Sequence, residues 1–111
     1  MNFHFSTGTR GPDELLIELG GELTIFHASE LRERLIDVVQ SSSGLKTIHL
    51  CLQRNTELDT AGLQLLLAFE RTLQQRGESL ALEIREPAVS AIFQLCQLTL
   101  PIVPAEPEAQ S

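Results

Sequence analysis

Hydrophobic and polar positions change their spacing several times along the chain, and these changes divide it into strands and helices. Phe3 to Phe5 alternates as a short strand does, and Glu14 to Leu19 continues as a second strand after the turn-rich segment Thr7 to Pro12. Lys46 to Leu52 is rich in apolar and β-branched residues, and Ser79 to Ile84 has a similar composition. The pattern therefore predicts four strands, with the third in a central position.

Three other segments have the 3.6-residue spacing of amphipathic helices. The first runs from about His27 to Gln40, with His27 at the N-cap position. The second runs from Thr60 to Arg76 and ends at Gly77, while Pro87 opens the third. Their apolar stripes are Ala28, Leu31, Leu35, Val38 and Val39 in the first helix, and Val89, Ile92, Phe93 and Cys96 in the third.

The predicted order of elements is β-β-α-β-α-β-α. Strands that are separated by helices of this length need crossover connections, which are right-handed and build a largely parallel or mixed sheet. A chain of 111 residues suits one core, so we predict an α/β fold with a single domain over residues 1–100. Residues 101–111 are rich in proline and acidic residues, and we predict that they form a disordered tail.

Charge and composition narrow the range of partners. The chain has 42% hydrophobic residues and a formal charge of −7, from fifteen acidic and eight basic residues. A negative field of this kind repels phosphate backbones and anionic membrane surfaces, so nucleic acid is not expected as a partner. Met1 to Phe5 has no charged-then-apolar signal pattern, and no apolar run approaches the roughly 20 residues that cross a bilayer. We therefore expect a cytoplasmic location without membrane insertion.

Sequence signatures of catalysis are missing. The chain has no glycine-rich phosphate loop, no G-x-S-x-G elbow, no dinucleotide fingerprint and no H-E-x-x-H helix. Cys51 and Cys96 lie far apart in apolar stretches, which predicts small buried hydrophobic residues rather than a disulfide. His4, His27 and His49 have no short-range ligand spacing. We predict a protein that is not an enzyme and needs no metal or cofactor.

The segment from Glu57 to Leu63 carries the clearest candidate chemistry. It follows the central strand and opens the second helix, which places backbone N–H groups and the positive helix end beside a hydroxyl. Such a position suits a phosphate. A simpler interpretation is that Asp59 or Thr60 caps the helix, and that Ala61 and Gly62 are small because another element packs closely there. Local spacing leaves both interpretations open.

A family resemblance extends from Leu16 to Leu98. Gly21 to Leu23 before the first helix resembles G-E-L-D, Asp59 to Leu63 resembles D-S-S-G-L, and Arg76-Gly77 precedes a strand, as in STAS domains. This family includes anti-sigma factor antagonists and the cytoplasmic domains of sulfate transporters. The resemblance implies a single mixed β-sheet with helices packed mainly on one face, and a docking surface around the start of the second helix.

The resemblance also implies a non-enzymatic interaction module of bacterial signalling, with an anti-sigma factor or kinase-like protein as its partner. The alternative is a STAS accessory subunit that binds the ATPase of a bacterial lipid-transport ABC complex. Nucleotide binding has been proposed for some STAS domains, but no motif here supports it. The implied partner-binding residues are Thr24, Leu58, Asp59, Thr60, Ala61, Gly62 and Leu65.

Two positions depart from the family pattern. Ala61 stands at the place of the phosphorylated serine, and Thr24 replaces the aspartate of G-E-L-D. Thr60 is therefore the one phosphorylation candidate in the motif. A threonine at this place also resembles the stand-alone subunits of lipid-transport complexes, which are not switched in the same way.

The second helix has an unusually wide apolar arc of roughly 200°, against about 100° for one buried stripe. Either some of these side chains are left for a partner, or the third helix or a loop covers them. The residues that form the arc are Leu63, Leu65, Leu66, Leu67, Phe69 and Leu73.

Overall fold

A computed structural model describes residues 3–41, 44–95 and 102–103, the last two by their backbone alone. The predicted order of strands and helices is confirmed, with the short strands β4 and β6 added. The elements are β1 (Phe3–Gly11), β2 (Glu14–Leu23), α1 (Ala28–Ser41), β3 (Thr47–Leu52), β4 (Glu57–Leu58), α2 (Thr60–Gln75), β5 (Ser79–Ile84), α3 (Pro87–Leu95) and β6 (Ile102–Val103).

The strands form one mixed sheet in the order β1-β2-β3-β5-β6. The β1 strand runs antiparallel to β2, whereas β2, β3, β5 and β6 pair in parallel. The parallel strands are joined through helices, as crossover connections require. The two-residue β4 pairs with the end of β2, where Glu57 is the partner of Glu22. This pairing brings the segment before α2 next to the loop that precedes α1.

Side chains on the two faces of the sheet differ sharply. Ile17, Leu50 and Leu82 are neighbours across three strands and are fully buried, whereas the next register row is Glu18, Cys51 and Glu83. The helices pack over the apolar face, and Leu31, Leu66 and Phe93 contribute to one core cluster from α1, α2 and α3 respectively. The prediction of a mixed sheet with helices mainly on one face is therefore confirmed.

One sequence prediction needs correction at the C-terminal end. Ile102 and Val103 fall in the segment that was predicted to be disordered, but they form β6 and pair with Leu82 and Glu83 of β5. Both are β-branched residues, and the edge of β5 offers unpaired backbone groups, so tertiary pairing outweighs the polar composition around them. Residues 101 and 104–111 lie outside the described residues, and so does Cys96.

The wide apolar arc of α2 is largely covered. Leu66, Phe69 and Leu73 are buried, while Leu63, Leu65 and Leu67 are half-buried. Leu65 and Phe69 line a groove against α1, which is the covering element on that side. The interpretation in which other parts of the fold cover the arc is therefore the better one, and the covering helix is α1 rather than α3.

Candidate functional site

The start of α2 is fixed to the neighbouring loop by one carboxylate. Asp59 is the N-cap of α2, and its Oδ1 accepts a hydrogen bond from the Gly62 N–H at 3.0 Å. Its Oδ2 accepts a hydrogen bond from the Ile25 N–H at 2.9 Å. The side chain thus caps the helix and also holds the loop between β2 and α1. Of the two capping residues proposed from sequence, the structure selects Asp59 and leaves Thr60 free of that role.

Gly62 sits where α2 passes close to the end of β2. An added Cβ would lie 2.0 Å from the carbonyl oxygen of Leu23 and 2.9 Å from the Leu58 Cδ1 atom. Real side chains do not tolerate such distances, so only glycine fits here. Close packing therefore explains Gly62, and it explains how α2 comes to begin beside the loop that precedes α1.

Three of the predicted partner-binding residues face the surface of the α1–α2 side. Thr60 is the first residue of α2 and is exposed. Ala61 and Leu65 are half-buried and line a shallow groove together with Ala28 and Ser29 of α1. The start of α2 therefore offers an exposed threonine next to a groove that Arg32 and Gln64 also line.

The other predicted residues have mainly structural positions. Leu58 is half-buried and packs against the core, and Gly62 is buried. Thr24 precedes Ile25, whose N–H donates to the Asp59 carboxylate. The Thr24 hydroxyl oxygen is buried and has no hydrogen-bond partner among the described residues. Thr24 therefore borders the predicted docking surface without presenting a polar group on it.

Hydrogen bonding controls the ionisation of Asp59. The backbone N–H of Gly62, and after it that of Ile25, lowers the pKa of this carboxyl below its usual value of 3.8 because both stabilise the charged form. The positive end of α2 acts in the same direction. Asp59 is consequently a carboxylate with both oxygens engaged in backbone hydrogen bonds.

We expect Asp59→Asn to reduce stability in a manner that depends on pH. A lowered pKa in the folded state means that the ionised group contributes stability above its unfolded pKa and loses it as pH falls through the folded pKa. The stability gap between wild type and Asp59→Asn should therefore be largest above about pH 5 and shrink below about pH 4. Urea unfolding of both proteins from pH 7 to pH 3 measures this gap. A gap that stays constant over that range would contradict the expectation.

Two exposed apolar residues beside this site were not predicted from the sequence. Ile25 is 66% exposed and Phe26 is 83% exposed, in the turn that joins β2 to α1. The available signal was a pair of large apolar residues outside the helical stripe, separated from the G-E-L segment by Thr24 alone. We refer to residues 24–27 as the apolar turn.

The apolar turn is held at both ends. The His27 N–H donates to the Thr24 carbonyl at 2.9 Å, and Asp59 holds the N–H of Ile25. The predicted N-cap position of His27 is confirmed, since its carbonyl accepts from the Leu31 N–H at 2.9 Å. The His27 ring stacks on Phe3 with 5.5 Å between ring centroids, and its Nε2 lies 3.5 Å from Glu22 Oε1. These contacts order the backbone that carries the two exposed side chains.

Other reactive groups lie elsewhere in the fold. Cys51 is buried on β3, as predicted, and desolvation raises the pKa of its thiol despite an opposing hydrogen bond with Arg85. In residues 3–41 and 44–95, no group of three His, Cys, Asp or Glu side chains has a metal-binding arrangement. Among the helices in these ranges, none combines the length and apolar character that a membrane crossing requires.

Comparison with known proteins gives consistent matches. A family model described as "Mlab, STAS domain" matches residues 7–104. The anti-sigma-B factor antagonist of Bacillus subtilis (strain 168) is 23% identical over 86 residues, which cover 78% of this chain and 76% of that protein.

Solved structures show the same architecture. The Bacillus cell fate determinant SpoIIAA in its phosphorylated form superposes with a TM-score of 0.70 at 22% identity, covering 93% of this chain and 92% of the other. An anti-sigma factor antagonist from Mycobacterium paratuberculosis superposes with a TM-score of 0.78 at 19% identity, covering 98% of this chain and 89% of the other. At these identities the likeness shows the fold.

Proposed function

The chain belongs to the STAS domain family, and we propose that it is a non-enzymatic cytoplasmic module of bacterial signalling that docks a protein partner. It resembles an anti-sigma factor antagonist, and the docking surface is the loop before α2 together with the N-terminus of α2. One observation carries the proposal: Thr60 is exposed at the start of α2, while Asp59 locks this helix end to the apolar turn.

The chemistry of the site supports binding rather than catalysis. A serine or threonine hydroxyl commonly becomes a nucleophile through an adjacent base that accepts its proton. Asp59 follows β4 and precedes Thr60, but its two oxygens accept hydrogen bonds from Gly62 and Ile25. Its lowered pKa also makes it a weak base. The carboxylate is therefore suited to fixing a surface, and the exposed hydroxyl is suited to contacting a partner.

We expect Thr60→Glu to weaken partner binding by at least about tenfold, because a carboxylate enclosed in a closely packed interface is desolvated without a partner. The melting temperature should change little, since a negative charge is tolerated at a helix N-terminus. The binding partner is recovered by pull-down with the full chain and purified, and affinities are measured by calorimetry.

Thr60→Ala is the matched control, because it removes the hydroxyl without adding charge. If Thr60→Glu and Thr60→Ala both bind with wild-type affinity while the fold is intact, the surface around Thr60 is not the docking site.

The same position is our proposed site of regulatory phosphorylation, since a phosphate would add roughly −1.5 to −2 charge to this surface. Mass spectrometry of the chain purified from its native cells tests that proposal.

The second candidate function is that of an accessory subunit bound to the ATPase of a lipid-transport ABC complex. Thr60 followed by Ala61 favours it, because the usual phosphorylated serine is replaced by a residue that accepts no phosphate. The two candidates share a docking surface and differ in the partner. Recovery of a kinase-like anti-sigma factor or of a transport ATPase in the pull-down separates them.

A further inference from the structure

The apolar turn is an unusual surface for a small protein with a charge of −7. Among the described residues, three large apolar side chains are exposed, and Ile25 and Phe26 are two of them. They are adjacent in sequence and lie beside the α2 N-terminus through the Asp59 bridge. Exposed apolar residues that occur singly need no explanation, whereas a pair next to a candidate docking site marks an interaction surface.

The turn is ordered before any partner binds. Hydrogen bonds from the N–H groups of Ile25 and His27 fix its backbone, and the His27 ring is stacked on Phe3. An aromatic residue on an ordered backbone loses little conformational freedom on binding. Phe26 therefore has the properties of an anchor residue, which fills a pocket and contributes a large share of the binding energy.

Three carboxylates lie around the turn. Glu22 and Glu57 are register partners on β2 and β4, and the Asp59 carboxylate is bonded to the turn itself. Arg54 and His4 line a crevice with the two glutamates, Arg32 lines the groove beside Ala28, and the His27 Nε2 atom lies 3.5 Å from Glu22 Oε1. A partner surface that carries lysine or arginine side chains would complement these carboxylates.

We propose, resting on the docking function proposed above, that Phe26 and Ile25 insert into an apolar cleft of a protein partner whose rim carries lysine or arginine side chains. A second copy of this chain fits the surface less well. Two copies would bring their carboxylates together, which opposes self-association.

The test compares apolar residues of equal exposure at two places. Leu95 is also 83% exposed but ends α3, a crossover helix that leads away from the sheet end where β2 meets the turn. We expect Phe26→Ser to raise the Kd for the recovered partner by about 30-fold, as loss of an anchor residue does. Leu95→Ser should change it by less than about twofold. The Ile25→Ser variant should fall between them.

A charge variant tests the rim. Glu57→Gln should slow association at low salt, and its difference from wild type should shrink as salt screens the interaction. If neither Glu57→Gln nor added salt changes the association rate, the proposed lysine or arginine side chains on the partner's rim are contradicted.

If a folded Phe26→Ser variant binds the partner with wild-type affinity, Phe26 is not an anchor residue and this inference is contradicted. If Thr60→Glu still weakens binding in that case, the docking function stands and this inference alone fails. If neither substitution has an effect, or wild type recovers no specific partner, both fail. Phe26-dependent self-association in sedimentation experiments, or Phe26-dependent binding to phosphatidylglycerol vesicles, would assign the turn to another occupant and overturn the proposal.

Discussion

Gly62→Ala is expected to destabilise the folded chain by about 3 kcal/mol, the upper end of the usual cost of overpacking, because the clash is with rigid backbone. The new Cβ would lie 2.0 Å from the carbonyl oxygen of Leu23, which belongs to β2 and cannot move without disturbing the sheet. Alanine in a helix is favoured over glycine by only about 1 kcal/mol, so the clash outweighs the gain in helix propensity. Urea unfolding measures the difference in free energy.

Gly8→Ala is the matched control for this substitution. Nothing lies within 4 Å of the Cβ that alanine would add at Gly8, on the exposed strand β1. Its effect should stay within about 0.5 kcal/mol, as for most surface substitutions. If Gly62→Ala is as mild as Gly8→Ala, the contact between the start of α2 and the end of β2 is looser than the structure describes. Should Gly62→Ala fail to fold while Gly8→Ala folds, the expectation is met in its strongest form.

Arg76→Ala is expected to cost about 3 kcal/mol, because it leaves a buried carboxylate without its partner. The Arg76 guanidinium donates from Nη1 to the Val39 carbonyl at 2.5 Å and from Nη2 to Glu78 Oε2 at 3.0 Å. The Glu78 side chain is only 4% exposed, whereas that of Arg76 is 24% exposed. Arg76 therefore joins the end of α1 to the residue before β5, and its loss affects both.

The companion variants separate the ion pair from the carbonyl contact. If the cost comes from the unpaired carboxylate, the double variant Arg76→Ala with Glu78→Gln should regain a substantial part of the lost stability, since the glutamine carries no charge. Arg76→Lys should recover less than full stability because lysine lacks the planar fork that reaches two acceptors. Unfolding free energies from urea titrations decide between these outcomes. A loss below about 1 kcal/mol for Arg76→Ala would place the pair among ordinary surface ion pairs.

Local sequence information was sufficient for the elements that depend on short-range physics. Apolar spacing predicted α1 and α2 to within about one residue at each end, and Gly77 ends α2 with a φ of 76° that glycine adopts readily. Strand composition located β3 and β5, since both segments are rich in the apolar residues that a buried strand needs. The family resemblance then supplied what spacing does not contain, the single layer of helices on one face.

Tertiary structure alone decided the character of the site. Asp59 bonds to an N–H group that is 34 residues away in sequence, so no local pattern distinguishes this carboxylate from an ordinary helix cap. Phenylalanine is usually buried, so its residue type alone predicts burial for Phe26. Its exposure depends instead on how the elements around the turn pack. The sequence by itself therefore determined the three helices, the four longer strands and the residue at which α2 starts, but not the short strands β4 and β6. Only packing between distant segments decided which of their side chains are available to a partner, because burial depends on every element that surrounds a residue.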